Sequence, residues 1–317
     1  MVALASALLW LAACGGERAS LVVGMESTAV NSLIYLAQDQ GYFEENGLNV
    51  VVKDYPSGRS AVDGLLAGEV DVATAAEFVL VTHALLGTDI STFGSIDEFL
   101  HIYLVAARNR GVEEPPDLRG KRIGLPLGTA AEFSLGRYLE LHGMANDEVH
   151  LVDTPPAGLA DALEAGELDA VVTWRPFVNA IEDRLGDGVV RWQVQNQQAA
   201  YCLAIAGSQW LGENPHLVGR FLRSLLLAEE YRAANPHDAR ASMQITLGYS
   251  EAYMDTVWPE HHLVVSLDQS LVAAMQDEAR WLMSKGLTQA EETPDFWQFI
   301  RAEELSVLRP DAVDLIR

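Results

Sequence analysis

An acid at Glu77, an indole beside a guanidinium at Trp174 and Arg175, a second guanidinium at Arg59, and hydroxyls at Thr28, Ser57 and Thr129 share one setting. Each follows a short apolar run and opens a helical pattern. In open α/β sheets, small molecules bind outside the carboxyl ends of the strands, where helix N-termini present unpaired N–H groups. The stretches 26–28, 55–60, 75–78, 127–131, 154–157 and 174–177 are therefore the places to look for a binding site. Trp174 offers a flat apolar wall, and Arg175 a planar fork of donors for an acceptor group. Glu77 can receive an amine or ring N–H, although a carboxylate at a helix start is also favoured by the macrodipole with no ligand present. Phe78 follows it in the same stretch.

Hydroxyls complete the set. Thr129 with Glu132 fits a capping box, and Gly128 before it lets a ligand come close to the backbone; capping alone also accounts for the threonine. In Ser57-Gly58-Arg59-Ser60 the arginine pairs an anion at a helix start or lies solvated on the surface. Opposite charges at Glu77 and Arg175 point to a solute with an acceptor end and a donor end, an amino-sulfonate or a heteroaromatic amine. A bare inorganic anion would leave Glu77 repelling it.

Enzymatic chemistry finds less to stand on. His261 and His262 adjoin each other, but there is no His-Glu-x-x-His run, cysteine cluster, Gly-x-Ser-x-Gly elbow or phosphate loop. No metal and no cofactor are expected. The 21 lysines and arginines against 45 acids give a formal charge of −24, which disfavours nucleic acid as a partner. Of the two cysteines, Cys202 lies in the apolar run 201–206 and reads as a packing residue.

The elements that must hold these residues alternate. Strand patterns at 21–24, 48–53 and 70–74 are separated by helical patterns from 29 to 40 and from 57 to 67, the signature of a helix-covered parallel sheet. Ala67-Gly68-Glu69-Val70-Asp71 recurs as Ala165-Gly166-Glu167-Leu168-Asp169, 98 residues on, which suggests two similar lobes. Glu113-Glu114-Pro115-Pro116 is a stiff connector. After Tyr201 the pattern turns helical, with helices opening at Asn214-Pro215, Asp268 and Thr293-Pro294; Phe296, Trp297, Phe299 and Ile300 of the last read as core. The expected fold is α/β with residues 1–19 as signal and tether, a discontinuous first lobe from 20–106 plus 201–317, and a second lobe from 107–200.

The apolar stretch 2–11 followed by Leu11-Ala12-Ala13-Cys14 resembles a bacterial lipobox, which implies export and a lipid anchor on Cys14; an ordinary secretory peptide is the alternative. Downstream of it, Leu36-Ala37-x-x-x-Gly41-Tyr42-Phe43 with Gly47-Leu48, the Ala-Gly-Glu-Val-Asp run and Asp117-Leu118-Arg119-Gly120-Lys121-Arg122-Ile123-Gly124 stand in a telling order. Leu168-Asp169-Ala170 with Trp174-x-Pro176-Phe177, and Asn214-Pro215, continue it. Together they resemble the solute-binding proteins of the nitrate, taurine, alkanesulfonate and thiamine-precursor group, NMT1-like or SsuA/TauA-like. The resemblance implies a type II periplasmic-binding fold with a two-strand hinge. It also implies a monomer that delivers a small-molecule ligand to an ABC permease and its ATPase. The same fold hosts enzymes of pyrimidine-precursor synthesis and of the menaquinone pathway, which remain the alternative, and a sensor domain is a third class.

Overall fold

The computed structural model describes residues 18–195 and 198–316, so Cys14 and its lipobox lie outside the described residues. Eleven strands make two mixed sheets. Strands β1 (Ala19–Met25), β2 (Leu48–Asp54), β3 (Val72–Ala76) and β4 (Ile90–Phe99) start the first sheet. The second is built from β5 (Ile102–Ala107), β6 (Arg122–Leu125), β7 (His150–Asp153), β8 (Ala170–Trp174) and β9 (Val189–Gln193). The chain then returns to the first sheet with β10 (Ala200–Gly207) and β11 (His261–His262). Spatial orders are β11-β4-β10-β3-β1-β2 and β7-β6-β8-β5-β9.

The repeated pentapeptide builds the same unit twice. Gly68 and Gly166 take φ of 72° and 71°, the left-handed turn that ends each preceding helix and that only glycine adopts without strain. Three residues later the aspartates do one job: Asp71 Oδ2 accepts from the Val22 backbone N–H at 2.8 Å, and Asp169 Oδ2 from that of Arg122 at 2.9 Å. Each aspartate thereby ties the coming strand to its parallel neighbour, β3 to β1 and β8 to β6. An antiparallel strand flanks each unit, β10 beside β3 and β5 beside β8.

β5, expected in the first lobe, pairs entirely within the second sheet. The chain crosses at Leu100 and His101 instead of near Ala106. Six fully buried positions in β5 continue the buried run of β4 with no glycine or proline between them, so nothing in the residue pattern marks the change of sheet. The helices after β10 cover the first sheet. Phe221 of the helix Pro215–Ala234 stacks on Phe43 at 5.5 Å and meets Phe93 edge-on at 5.9 Å. The helix expected after Thr293-Pro294 is a single 3-10 turn, Phe296–Phe299, whose start Asp295 caps by accepting from the Trp297 N–H. Beyond it Ile300 is extended and bridges to Thr92, which stops the helix, while Phe296 and Ile300 are buried as core. Among the described residues no helix is long and apolar enough to cross a membrane.

Candidate ligand cleft

The two sheets face each other across a cleft beyond the ends of β1, β3 and β8. From β1 the chain turns at Glu26, where the Asn31 side-chain amide donates to the Glu26 carbonyl at 2.8 Å and fixes the turn. The Glu26 side chain is buried and accepts from the Trp174 indole Nε1–H at 3.0 and 3.2 Å. This contact runs from the second sheet to the first. Desolvation pushes the Glu26 carboxyl up to about 8, against the pull of the Trp174 hydrogen bond, and the nearby Asp54 charge raises it further. Near neutral pH this carboxyl therefore holds a proton that a ligand cation or a strong donor would replace.

Two helix starts supply the opposite polarity. Ser57 caps the helix Gly58–Leu66, its Oγ accepting from the Ser60 N–H at 3.2 Å. A Cβ at Gly58 would stand 2.7 Å from the Ala75 Cα, so the helix can lie against β3 only with glycine there. From the second sheet Thr129 caps the helix Ala130–Leu141, accepting from the Ala131 N–H at 3.3 Å while its hydroxyl donates to the Pro126 carbonyl at 2.7 Å. Glu132 reaches back to the Gly128 N–H at 2.7 Å, one residue short of a capping box. Arg59 also bridges the sheets: its Nη1 donates to the Leu127 carbonyl at 2.6 Å, with Asp153 at 3.8 Å, and its stem lies against Gly128.

These groups bound a cavity of about 60 Å³ that Glu26, Asn31, Gly58, Arg59, Thr129 and Trp174 share. That is space for several waters at roughly 10–15 Å³ each. Thr74, Cys202, Phe99 and His101 also line it. The Thr74 hydroxyl has no hydrogen-bond partner among the described residues, and Thr28, buried close by, is in the same position. His101 stacks on Phe99 at 4.4 Å, and burial holds its pKa well below the usual imidazole value, so it stays neutral. Burial likewise keeps the Cys202 thiol protonated, which makes it a poor nucleophile.

Of the residues singled out in the sequence, Trp174, Arg59 and Thr129 meet at the cavity, Ser57 caps the helix that enters it, and Thr28 is buried in the turn after β1. Three others go elsewhere. Arg175 is buried and engaged: its Nε donates to both Glu260 oxygens at 3.1 and 3.0 Å, its Nη1 to Asn179, and its guanidinium covers the Tyr103 ring at 5.0 Å. Glu77 accepts from the Tyr201 N–H at 2.9 Å and faces a different cavity. Phe78 is fully buried between Phe133 and Trp281. Glu77 and Arg175 both stand just past a strand end: Ala76 and Trp174 line the cleft cavity, while Glu77 begins a helix and is held by the Tyr201 N–H and Arg175 lies in a turn and is held by Glu260. Glu26, Asn31 and His101 were not among the expected site residues. Glu26 falls in the first loop marked for inspection, but its burial is a tertiary property that its neighbours in sequence do not reveal.

Two mixed sheets with helices on their faces, joined by two crossings and meeting at a polar cleft beyond their strand ends, define a periplasmic-binding-protein fold. Solved structures agree: the alkanesulfonate-binding protein SsuA from Xanthomonas axonopodis pv. citri, bound to MOPS, superposes with a TM-score of 0.78 at 17% identity, over 90% of this chain and 99% of that one. The chain belongs to the NMT1/THI5-like family, whose model matches residues 29–239. A protein named as a binding protein from Brucella abortus (strain 2308) is 25% identical over 215 residues, 66% of this chain and 65% of its own length. The taurine-binding periplasmic protein of Escherichia coli (strain K12) is 26% identical over 204 residues, 62% of each. The chain thus spans about two thirds, or slightly less, of the curated relatives it matches, and the matches extend to a 4-amino-5-hydroxymethyl-2-methylpyrimidine phosphate synthase of Aspergillus parasiticus.

Proposed function

We propose that the chain is the extracytoplasmic solute-binding component of an ABC importer, closing two lobes on a small molecule and performing no chemistry on it. The lobes are residues 19–99 with 200–316, and residues 102–195. One observation carries the reading: the buried Glu26 carboxyl is held by Trp174 across the cleft, in a cavity bounded by two helix starts. A solute with a donor, an amine or ring N–H, satisfies Glu26, and its acceptor end meets the N–H groups at Gly58 and Ala130. Trp174 contacts the solute from one lobe and Glu26 from the other, so binding favours the closed arrangement. The taurine and alkanesulfonate in the names of its relatives have such an acceptor end, and taurine also has the donor. In this reading Cys14 is the lipidated first residue of a monomer held at the outer face of a bacterial membrane, handing its solute to a permease and its ATPase.

A synthase on the same fold needs an activated group in the cleft. The protonated Cys202 and neutral His101 do not favour that reading. A thermal-shift panel of amino-sulfonates, aminopyrimidines, simple alkanesulfonates, carboxylates and nitrate tests the proposal. A solute bearing both donor and acceptor should stabilise most, by about 2.7 kcal/mol at a hundredfold over its Kd. If nitrate or a simple alkanesulfonate stabilises best, the donor part of the reading fails.

A further inference from the structure

A second cavity, of about 370 Å³, opens beside the chain's return to the first sheet and shares only Ala130 with the cleft. Its inner wall is acceptors. Glu77 starts the helix Glu77–Leu85, and Glu278 lies on the facing helix Gln269–Ser284, both about 1% exposed. Glu278 Oε2 has no hydrogen-bond partner among the described residues. Gln195, also buried, spends its amide N–H groups on the Phe99 and Gln198 carbonyls, which leaves its Oε1 unpartnered as well. Leaving such acceptors unpaired in a buried site is costly, and a proton alone cannot serve all of them. Burial pushes the Glu77 carboxyl up to about 8 and that of Glu278 well above its usual range, with each other's charge adding to the Glu278 shift.

The outer wall is apolar, from Phe133 and Leu141 of the helix Ala130–Leu141 and from Val194. The cations at the mouth are already held: Arg137 and Lys285 both pair with Glu140, at 2.9 and 2.6 Å. We propose that this cavity binds a small organic cation, an alkylammonium whose charged head enters among Glu77, Glu278 and Gln195 while its short chain lies against Phe133, Leu141 and Val194. A primary ammonium brings three donors to these buried acceptors, and it replaces the carboxyl protons with a full charge. The helix Ala130–Leu141 belongs to one lobe and both glutamates to the other. An occupant therefore touches both lobes beside the crossing, at a place separate from the cleft solute.

Calorimetric titration of the whole protein with butylammonium chloride tests the site, with 1-butanol and butyrate as size-matched controls. Butylammonium should bind saturably at one site, and the controls should not. Trp174→Ala should leave that binding intact, whereas Glu278→Gln should weaken it by at least about tenfold, the cost of removing a charged hydrogen-bond partner. Glu77→Gln carries the same expectation should Glu278→Gln fail to fold. Absence of saturable binding by the folded wild type overturns the proposal, as does undiminished binding in the folded glutamine variants. Loss in Trp174→Ala alone places the cation at Glu26 and also overturns it. Apart from that last result, none of these outcomes bears on solutes that bind at the cleft.

Discussion

The ends of β3 and β8 are built alike and finished differently. Each strand is entered through a left-handed glycine and an aspartate that grips its parallel neighbour, and each ends with one residue lining the cleft cavity and the next engaged elsewhere. On the first side the inward residue is Ala76, which leaves room, and the outward one is Glu77, buried at a separate cavity. On the second side the inward residue is Trp174, which crosses to Glu26, and the outward one is Arg175, locked to Glu260. The repeated backbone sets where side chains stand, and four residues decide what each lobe contributes. One lobe supplies the recess and the Glu26 carboxyl, the other the indole that donates to it.

The largest effect should come from unlocking the outward residue of the second side. Glu260→Ala leaves the buried Arg175 guanidinium without its carboxylate, and urea unfolding should show a loss of about 3 kcal/mol or more. A loss under 1 kcal/mol would mean that Arg175 finds another partner. Trp174→Ala should cost about 3 kcal/mol from lost burial and should abolish the thermal shift given by the stabilising solute. Retention of the full solute shift in that variant would remove the indole from the site.

Acidity separates the lobes in a different way. Glu26, Glu77, Glu278 and Asp97 all have raised pKa values, to about 8, about 8, well above the usual range and about 6 respectively, each chiefly by burial. All four belong to the first lobe, and in the second lobe burial raises Glu132 too. The folded chain therefore keeps protons that the unfolded chain has lost, and stability falls as pH rises from about 4.5 towards 8. Half-buried His83 and buried His101, whose pKa values are lowered, work in the opposite sense but only below about 6.5. Between pH 6.5 and 8 the unfolding free energy should decline, and the urea midpoint with it, by about 1.4 kcal/mol per unit for each proton held by the native state alone. Glu26→Gln should flatten part of that decline. A midpoint that rises across this window would contradict the assignment.

The smallest prediction tests the likeness itself. Asp71→Ala and Asp169→Ala each remove one carboxylate from a strand N–H, at 2.8 and 2.9 Å, and should destabilise by about 1.5 kcal/mol each. A difference of more than about 1 kcal/mol between them would show that the two units are alike in shape and not in energetics.

Local pattern carried much of this fold. Gly68 and Gly166 announce their turns, and apolar runs between helical patterns announce the strands, because both signals depend on near neighbours in the chain. The crossing at Leu100 and His101 was hidden, since a strand buried on both sides reads the same in either sheet. In the site, Trp174, Arg59 and Thr129 were legible from their position after strands. Glu77 and Arg175 looked equally suitable, but partners distant in sequence, the Tyr201 N–H and Glu260, hold them elsewhere. Glu26 gained its importance from Trp174, 148 residues further along, a contact that no local pattern contains.

The claim that Glu26 receives the donor of a solute closed in by Trp174 is tested most directly by one comparison of thermal shifts. Wild type and Glu26→Gln are measured with a solute that carries an amine or ring N–H and with its analogue lacking that donor. The account predicts that the substitution removes most of the shift from the donor-bearing solute and leaves that of the analogue nearly unchanged. Equal shifts for both solutes in both proteins would contradict it.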